Sequence, residues 1–166
     1  MIRTKVINDS ADLVSIIRAF DNKTKKEVFN EISKGWTPFS DIQQKFGNEG
    51  ELALELFDRM KLAETKWTTS DDGIDGKPQK MYRSFYSLFN INISCPVNEI
   101  SDIFNISSLN INEFEQLEDN IYEFVGDDGK FGNSVSEQFH LTSTALKAMV
   151  KRSNKLCYTG LKITRV

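Results

Sequence analysis

Apolar residues recur at helical spacing over the first sixty positions and predict four helices. The first spans about residues 10–20 behind Ser10 as its cap, and the second spans about residues 24–33. Thr37, which proline follows, caps a short third helix. After the turn in "FGNEG", a fourth helix covers about residues 49–61.

The pattern then changes to the alternation of apolar and polar residues that is typical of strands. A strand over residues 63–69 leads through the polar loop "SDDGIDGKP" to "GKPQKMYRSFYSLFNINIS", residues 76–94. The second half of this stretch alternates as one long strand, and the cationic loop before it would be the wing. Helix, short helix, turn, helix and hairpin follow in the order of a winged helix-turn-helix. Cations on such a wing would neutralise DNA phosphates, and the alternative is an ordinary solvated hairpin tip. The candidate wing contacts are Lys66, Lys77, Lys80 and Arg83.

The fourth helix is poorly suited to a DNA groove. Its outward positions hold four acids against Arg59 and Lys61, and DNA phosphates repel carboxylates that face them. Two alternatives stay open: this helix docks on DNA in a different way, or it faces another protein. The four acids are Glu49, Glu51, Glu55 and Asp58.

The C-terminal half has a second, smaller set of helices and strands. Pro96 opens one helix, and Asn112 caps a longer one. Ser134 then heads a short helix, and Thr142 caps the next. The strands "KLCY" and "LKITRV" flank a turn at Gly160. These elements predict a second helix-turn-helix with a minimal wing.

We therefore predict a mainly α fold with small β-hairpin wings, in which a winged helix-turn-helix precedes a second C-terminal helix-turn-helix. Residues 1–95 form the winged helix domain, residues 96–129 an acidic helical linker or dimerisation segment, and residues 130–166 the basic C-terminal unit. The net charge of −3 hides this division. The middle segment carries nine acids and no base, whereas the last carries seven bases and one acid.

The helix that Thr142 caps is the better candidate for DNA contact. Residues 142–155 carry four cations and no acid, with small hydroxyls at the helix start. Hydroxyls bond to phosphates or bases, and lysines make salt-sensitive phosphate contacts. Cations at a helix C-terminus also favour the helix dipole, but this alternative does not explain Lys147. The predicted contacts are Ser143, Thr144, Lys147, Lys151 and Arg152.

Three stretches carry a family resemblance: "TKKEVFNEISKGWTPFSDIQQKFGNEGELALELFDRMKLAETKW", "GKPQKMYRSFYSLFNINISC" and "KRSNKL". They resemble the archaeal ArsR-like winged-helix regulators of methanogens and their relatives. The resemblance implies a transcription regulator that binds double-stranded promoter DNA. With only two cysteines and no disulfide framework, we expect a cytoplasmic protein. The resemblance also includes regulators that activate the archaellum (motility) operon.

Metal and catalytic chemistry find no support in the sequence. The chain has one histidine, His140, and two distant cysteines, Cys95 and Cys157, so the metal sensing of classical ArsR-like proteins is not carried over. It contains neither a glycine-rich phosphate loop nor an H-E-x-x-H motif. We expect no enzyme activity, no cofactor, no small-molecule effector and no membrane span.

Apolar residues on two predicted helices suggest self-association. We expect a homodimer built on helices within residues 10–20 and 96–125. A second class of function stays open, a winged-helix protein-interaction module in a larger assembly that does not bind DNA directly. Binding to DNA that weakens steeply with salt would favour the first class. The apolar residues are Ile16, Ile17, Phe20, Ile121 and Phe124.

Overall fold

The chain folds into two compact units, each with its own core. The structure is a computed structural model that describes residues 2–69 and 78–166. Unit 1 consists of the segment that ends at Val6 together with Ala19–Asn90, and unit 2 consists of Ile7–Arg18 with Ile91–Val166. Lys77, one of the predicted wing contacts, lies outside the described residues.

Unit 1 begins its helical part with α2, which spans Lys23–Lys34. The Asn22 side chain caps this helix by accepting a hydrogen bond from the Lys25 amide, and Gly35 ends it. The next helix, α3 (Phe39–Arg59), is broken at Gly47, whose φ of 59° and ψ of −145° are not helical. Glycine tolerates this left-handed backbone, so the break turns α3 into two helical arms. The predicted short helix, turn and fourth helix correspond to these arms.

One predicted helix cap in unit 1 is wrong. Thr37 does not cap a helix but lies in strand β2 (Thr37–Pro38), where it pairs with Tyr82 of β4 (Lys80–Ser84). Strand β3 (Ala63–Trp67) pairs with the other side of β4, which gives the antiparallel order β2-β4-β3.

The predicted cationic loop is also wrong in part, because its residues Lys80–Ser84 form strand β4, and the strand predicted in the second half of residues 76–94 is shorter than expected. After β4 the Phe85 amide donates to the Leu62 carbonyl, and the Ser87 amide donates to the Arg3 carbonyl. The backbone therefore changes partners between the two strands. The second strand, β5 (Leu88–Ile91), pairs with β1 (Thr4–Ile7).

Aromatic rings dominate the core of unit 1. The Phe29 ring stands edge-on to Phe20, with centroids 5.1 Å apart, and to Phe57, with centroids 5.2 Å apart. Phe57 is completely buried. Such edge-to-face contacts each add about 0.5–1.5 kcal/mol beyond the burial of area.

Unit 2 contains a short 3-10 helix at Ser10–Asp12 and the start of α1 (Leu13–Ala19). Asp9, and not Ser10, supplies the capping side chain there. The long acidic helix α5 is capped by Asn110, two residues before the predicted Asn112, and its Glu113 completes a reciprocal capping box. The helices and strands that follow Pro96 are α4 (Ile100–Ser108), α5 (Ile111–Val125), β6 (Lys130–Phe131), α6 (Gly132–Phe139), α7 (Ser143–Arg152), β7 (Leu156–Thr159) and β8 (Lys162–Arg165).

The acidic segment and the basic C-terminal segment share one core. Ile103 of α4 and Ile121 of α5 are completely buried in the same cluster as Leu146 and Met149 of α7. The structure thus has two units where the sequence predicted three segments, because the acidic helices bury their apolar sides against α7.

The apolar residues assigned to a dimer interface are used within the chain. Ile121 is completely buried, and Ile17 and Phe124 pack against the core of unit 2. Phe20 belongs to the aromatic core of unit 1, and Ile16 is half-buried. These side chains therefore do not form the apolar surface on which the predicted dimer was based.

The two units repeat one order of elements. In each, a helix is followed by a two-residue strand, a helix, a turn with positive φ, a second helix and a hairpin. The sheet orders β2-β4-β3 and β6-β8-β7 match as well. This mainly helical architecture with small antiparallel sheets is compatible with a winged helix. None of the helices in the described parts of the chain is long and apolar enough to cross a membrane.

Gly50 allows the two arms of α3 to approach each other. A Cβ at this position would lie 2.7 Å from Phe46 Cβ and 3.0 Å from Ile42 Cγ2. Gly50→Ala is expected to lower the free energy of unfolding of unit 1 by about 1–3 kcal/mol through overpacking. This loss outweighs a gain of up to about 1 kcal/mol from the helix propensity of alanine.

Urea unfolding followed by tryptophan emission measures this effect, because Trp36 and Trp67 both lie in unit 1. The control is Gln43→Ala on the exposed side of the same helix, which should leave the midpoint nearly unchanged. Equal midpoints for the two variants would contradict the close approach at Gly50.

Candidate nucleic-acid interface

Helix α7 exposes a single stripe of side chains. The Thr142 side chain caps it by accepting from the Ala145 amide at 3.0 Å, and His140 turns the chain into it with a left-handed φ of 53°. Ser143, Lys147 and Lys151 are exposed, and the other seven residues of the helix are buried. Because residues four apart lie on one face, the three form one ridge.

Two of the predicted contacts on this helix are not on the ridge. Thr144 is only 8% exposed, and its hydroxyl donates to the Glu99 carboxylate. Arg152 is 9% exposed. Both residues are committed to the interior of unit 2, so we leave them out of the proposed DNA contacts.

Arg152 fastens α7 to the acidic helices. Its Nη1 donates to the Ile106 carbonyl at 2.6 Å and its Nη2 donates to the Leu109 carbonyl at 2.9 Å. The guanidinium also lies 4.1 Å from the centre of the Phe114 ring. Burial and the neighbouring Arg18 lower the pKa of Arg152 to about 10, so it stays charged at neutral pH.

Two further cations of the C-terminal segment are paired with the acidic segment. Lys155 Nζ lies 2.6 Å from Asp119 and 3.5 Å from the buried Glu118, and the hydrogen bond from Lys155 to Asp119 raises the pKa of Lys155. Arg165 Nη1 lies 2.6 Å from Asp127. Opposite charges that look like separate runs in the sequence thus neutralise each other within unit 2.

Three cations of this segment stay outside these pairs. Over the described part of the chain, no ion pair involves Lys130, Lys147 or Lys162. Lys151 Nζ is 2.8 Å from Asp12, and its side chain is half exposed. An exposed pair of this kind contributes little, about 0–1 kcal/mol, and therefore does not hold Lys151 away from a phosphate.

A cleft of about 810 Å³ lies beside the ridge, and we call it the wing cleft. It is bounded by α7, the start of α6 and the β7/β8 hairpin. Its lining combines polar side chains, which include Asn133, Ser136 and Lys147, with apolar ones. Burial raises the pKa of Tyr158 on the hairpin. The apolar and aromatic residues of the lining are Phe131, Leu146, Val150, Leu156, Tyr158 and Leu161.

The described wing cations of unit 1 are largely engaged. Arg83 is ion-paired with Glu64 and stacks 4.6 Å from the Trp36 ring, and its hydrogen bond lowers the pKa of Glu64. Lys80 Nζ lies 3.7 Å from Asp58, and its interaction with Tyr82 raises the pKa of Lys80.

Lys66 is the most accessible of the described wing cations. It is exposed, and its Nζ lies 4.6 Å from the Trp36 ring. Lys80 and Arg83 lie in strand β4 and not in the loop before a strand. Lys80 and Arg83 are thus paired with acids of unit 1, and Lys66 contacts an aromatic ring.

The second arm of α3 occupies the place in unit 1 that α7 occupies in unit 2, but its exposed residues differ. Its exposed side chains include Leu52, Glu55 and Arg59, and Leu52 is 55% exposed. Glu49 accepts a hydrogen bond from the Thr24 hydroxyl. In the described chain, no ion pair involves Glu51 or Glu55. The acidic character inferred from the sequence is therefore present on the surface of this helix.

Sequence reasoning missed the wing cleft and the exposure of Trp67. Trp67 is 68% exposed, although tryptophan is usually largely buried. Its place at the end of the alternating strand is a signal for exposure, but the alternation alone also fits a residue at the edge of the core. The cleft has no local signal, because its walls come from residues far apart in the sequence.

A helix, turn and helix followed by a hairpin is the order of elements in winged-helix proteins, and the fold is compatible with that class. The chain belongs to the ArsR family, since the family model described as "ArsR transcriptional regulator" matches residues 7–166. It is therefore a transcriptional regulator of a DNA-binding family. No curated protein and no solved structure matches the chain. Within residues 2–69 and 78–166, no group of three or more His, Cys, Asp or Glu side chains is placed to hold a metal ion.

Substitution by methionine is expected to destabilise unit 2 at Arg152 and to have little effect at Lys147. Arg152→Met leaves the Ile106 and Leu109 carbonyls without their charged donor, and hydrogen bonds to charged groups contribute about 1.5–3 kcal/mol each. We expect a loss of at least about 1.5 kcal/mol in the stability of unit 2. Hydrogen exchange of the α7 amides measures it.

Lys147→Met is the matched control, because it removes an exposed cation from the same helix. Its effect should stay within about 0.5 kcal/mol. If the α7 amides of both variants exchange at the same rate as those of the unsubstituted chain, Arg152 does not stabilise α7.

Proposed function

We propose that this ArsR-family regulator binds specific sequences of double-stranded DNA mainly through the exposed ridge of α7. One observation supports this above the others: α7 exposes Ser143, Lys147 and Lys151 and no acid. Two lysines one turn apart suit successive phosphates, and a hydroxyl at the helix start suits a phosphate or base edge.

In this proposal α6 and α7 are a second helix-turn-helix, with the β7/β8 hairpin as its wing. The second helix of such a motif enters the major groove with its N-terminal residues foremost. Ser143 is the first residue of α7 and Lys147 lies one turn further on. Contacts with base edges would then come from the start of α7, and salt-sensitive contacts with phosphates would come from the two lysines.

Unit 1 contributes less to DNA binding in this proposal. Lys66 and Lys77 are its remaining wing candidates, because Lys80 and Arg83 already have acidic partners. The exposed Glu55 of α3 would face phosphates if this helix entered a groove. At water-like dielectric, each close carboxylate–phosphate approach is unfavourable by about 1 kcal/mol.

A second candidate function is supported by that same acidic surface. Unit 1 would then serve as a protein-interaction module, and DNA contact would be absent or indirect. The two candidates differ in one observable. For DNA binding through lysines, the logarithm of the binding constant falls linearly with the logarithm of the salt concentration.

The family resemblance suggests a target for the proposed activity. It points to activation of the archaellum operon, so the DNA upstream of that operon is the first sequence to test. Nuclease protection there, with none on a coding fragment of equal length, would support this choice. Equal protection of both fragments would count against it.

The salt dependence of DNA binding tests the ridge directly. Lys147→Ala and Lys151→Ala should each weaken binding to every duplex and reduce the slope of log K against log salt by about one. Lys66→Ala together with Lys80→Ala should reduce the slope by less than the ridge pair does. Fluorescence anisotropy of a labelled duplex over a salt series provides the slopes.

Lys23→Ala is the matched control, since Lys23 is an exposed lysine of unit 1 whose side chain is 87% accessible. It should leave the slope unchanged. A ridge variant with an unchanged slope would remove α7 from the interface, and a chain that binds no duplex at low salt would favour the protein-interaction module.

A further inference from the structure

The wing cleft of unit 2 has the size and composition of a small-molecule site. Its volume of about 810 Å³ lies within the range of about 300–1,000 Å³ that ligand pockets usually have. Such pockets combine a mostly apolar lining with a few polar groups that orient the ligand. Every residue that lines the cleft belongs to unit 2, so the site is complete within one unit.

Apolar side chains with large exposed areas line the cleft. Leu161 is 80% exposed and Phe131 is 54% exposed, and the Tyr158 ring lines the cleft with them. Exposed apolar side chains that are grouped and bordered by polar residues usually mark an interaction site. Phenylalanine and tyrosine rings favour a flat aromatic ligand, which can stack on them or meet them edge-on.

The cations around the cleft favour a ligand with negative charge. Lys147 and Lys151 belong to the lining, and Lys162 Nζ lies 5.4 Å from the centre of the Phe131 ring. Within the described residues, Lys147 has no acidic partner. Its ammonium group is therefore available to an anion in the cleft.

Two aspartates lie near these lysines, and each already has a partner. Asp9 lines the cleft, and its carboxylate accepts from the Ala11 amide at 2.9 Å. Asp12 lies 2.8 Å from Lys151 Nζ. Three lysines against two aspartates leave one positive charge in excess, which a single carboxylate would balance.

Neutral hydrogen-bonding groups also reach the cleft without internal partners. No hydrogen bond within residues 2–69 and 78–166 engages the Tyr158 hydroxyl or the side chains of Asn133 and Ser143. Burial raises the pKa of Tyr158, so its hydroxyl keeps its proton at neutral pH. All three side chains can donate to a carboxylate oxygen.

We propose that the wing cleft binds a small aromatic carboxylic acid in its ionised form. The aromatic body would lie against Phe131 and Tyr158, and the carboxylate would accept hydrogen bonds from Lys147 and the Tyr158 hydroxyl. The sequence predicted no small-molecule effector, because the residues of the lining come from four separate stretches of the chain. No local motif marks such a site.

The proposed ligand has a consequence for regulation that rests on the proposed DNA-binding function. Lys147 and Lys151 lie both on the ridge of α7 and in the lining of the cleft. A bound carboxylate and a DNA phosphate therefore compete for the same lysine. Ligand and duplex would weaken each other's binding, and the ligand would release the chain from DNA.

Titration of the full chain with naphthoate tests the site without DNA. The amide NMR signals of Leu146, Tyr158 and Leu161 should shift and saturate, whereas those of Leu52 and Glu55 in unit 1 should stay in place. Naphthamide has the same aromatic body without the charge and should bind at least about fivefold more weakly. Acetate, a carboxylate without an apolar body, should cause no saturable shift.

Two substitutions separate the role of charge from that of apolar contact. Lys147→Met should weaken the binding of naphthoate about fivefold and leave the binding of naphthamide unchanged. Leu161→Ser removes exposed apolar surface and should weaken the binding of both ligands. Lys130→Met is the matched control, because Lys130 is an exposed lysine of the same segment outside the lining of the cleft. It should leave both affinities unchanged.

Two results would overturn the ligand site. One is the absence of any saturable shift with naphthoate. The other is an equal loss of naphthoate affinity in the Lys130 and Lys147 variants, because it would show attraction to surface charge in general.

A competition experiment separates this proposal from the proposed DNA binding. With naphthoate at about ten times its dissociation constant, the apparent affinity for a labelled duplex should fall about tenfold. Duplex binding that persists unchanged at saturating naphthoate would overturn the competition. Naphthoate binding without any duplex binding would support the ligand site and refute the proposed function, whereas duplex binding without naphthoate binding would refute the ligand site alone.

Discussion

The pairing of the acidic helices with the basic residues that end the chain is the interaction on which unit 2 depends. Arg152 donates to two carbonyls at the end of α4, and the buried Glu118 of α5 accepts from the Ser153 hydroxyl and the Asn154 amide. These contacts fix both the end of α7 and the start of its hairpin. With the ion pairs of Lys155 and Arg165, they engage three of the seven cations of the segment, so the lysines that stay outward mark the surface that can meet a phosphate.

Local sequence signals predicted most of the helices and strands. Thr142 caps α7 as expected, Gly35 ends α2, and the break at Gly47 lies in the predicted turn. These features depend on a few neighbouring residues, whose backbone preferences are strong. Strand β4 was assigned to the cationic loop because its lysine and arginine suit a wing tip, and the change of strand partner at Phe85–Ser87 leaves no mark in the alternation of side chains.

The site was predictable only in part, because charge runs in a sequence do not show which charges meet. Lys147 and Lys151 could be placed on a face from their spacing, and they are exposed as the pattern indicates. Arg152 looks like one more surface cation, yet it is buried against carbonyls contributed by residues more than forty positions earlier. The acidic second arm of α3 shows the opposite case. Glu55 has no ion-pair partner among the described residues, and it is exposed as the sequence pattern indicates. Two units with one order of elements thus present different chemistry on equivalent helices.

In the proposed mode of binding, DNA contacts the ridge of α7 and not the second arm of α3. A nitroxide attached to the backbone of a mixed-sequence duplex tests it most directly, because it broadens the NMR signals of amides that lie close to the DNA. At low salt, the amide signals of Ser143 and Lys147 should broaden, and those of Leu52 and Glu55 should keep their intensity. Strong broadening at Leu52 and Glu55 with sharp signals along α7 would contradict the account.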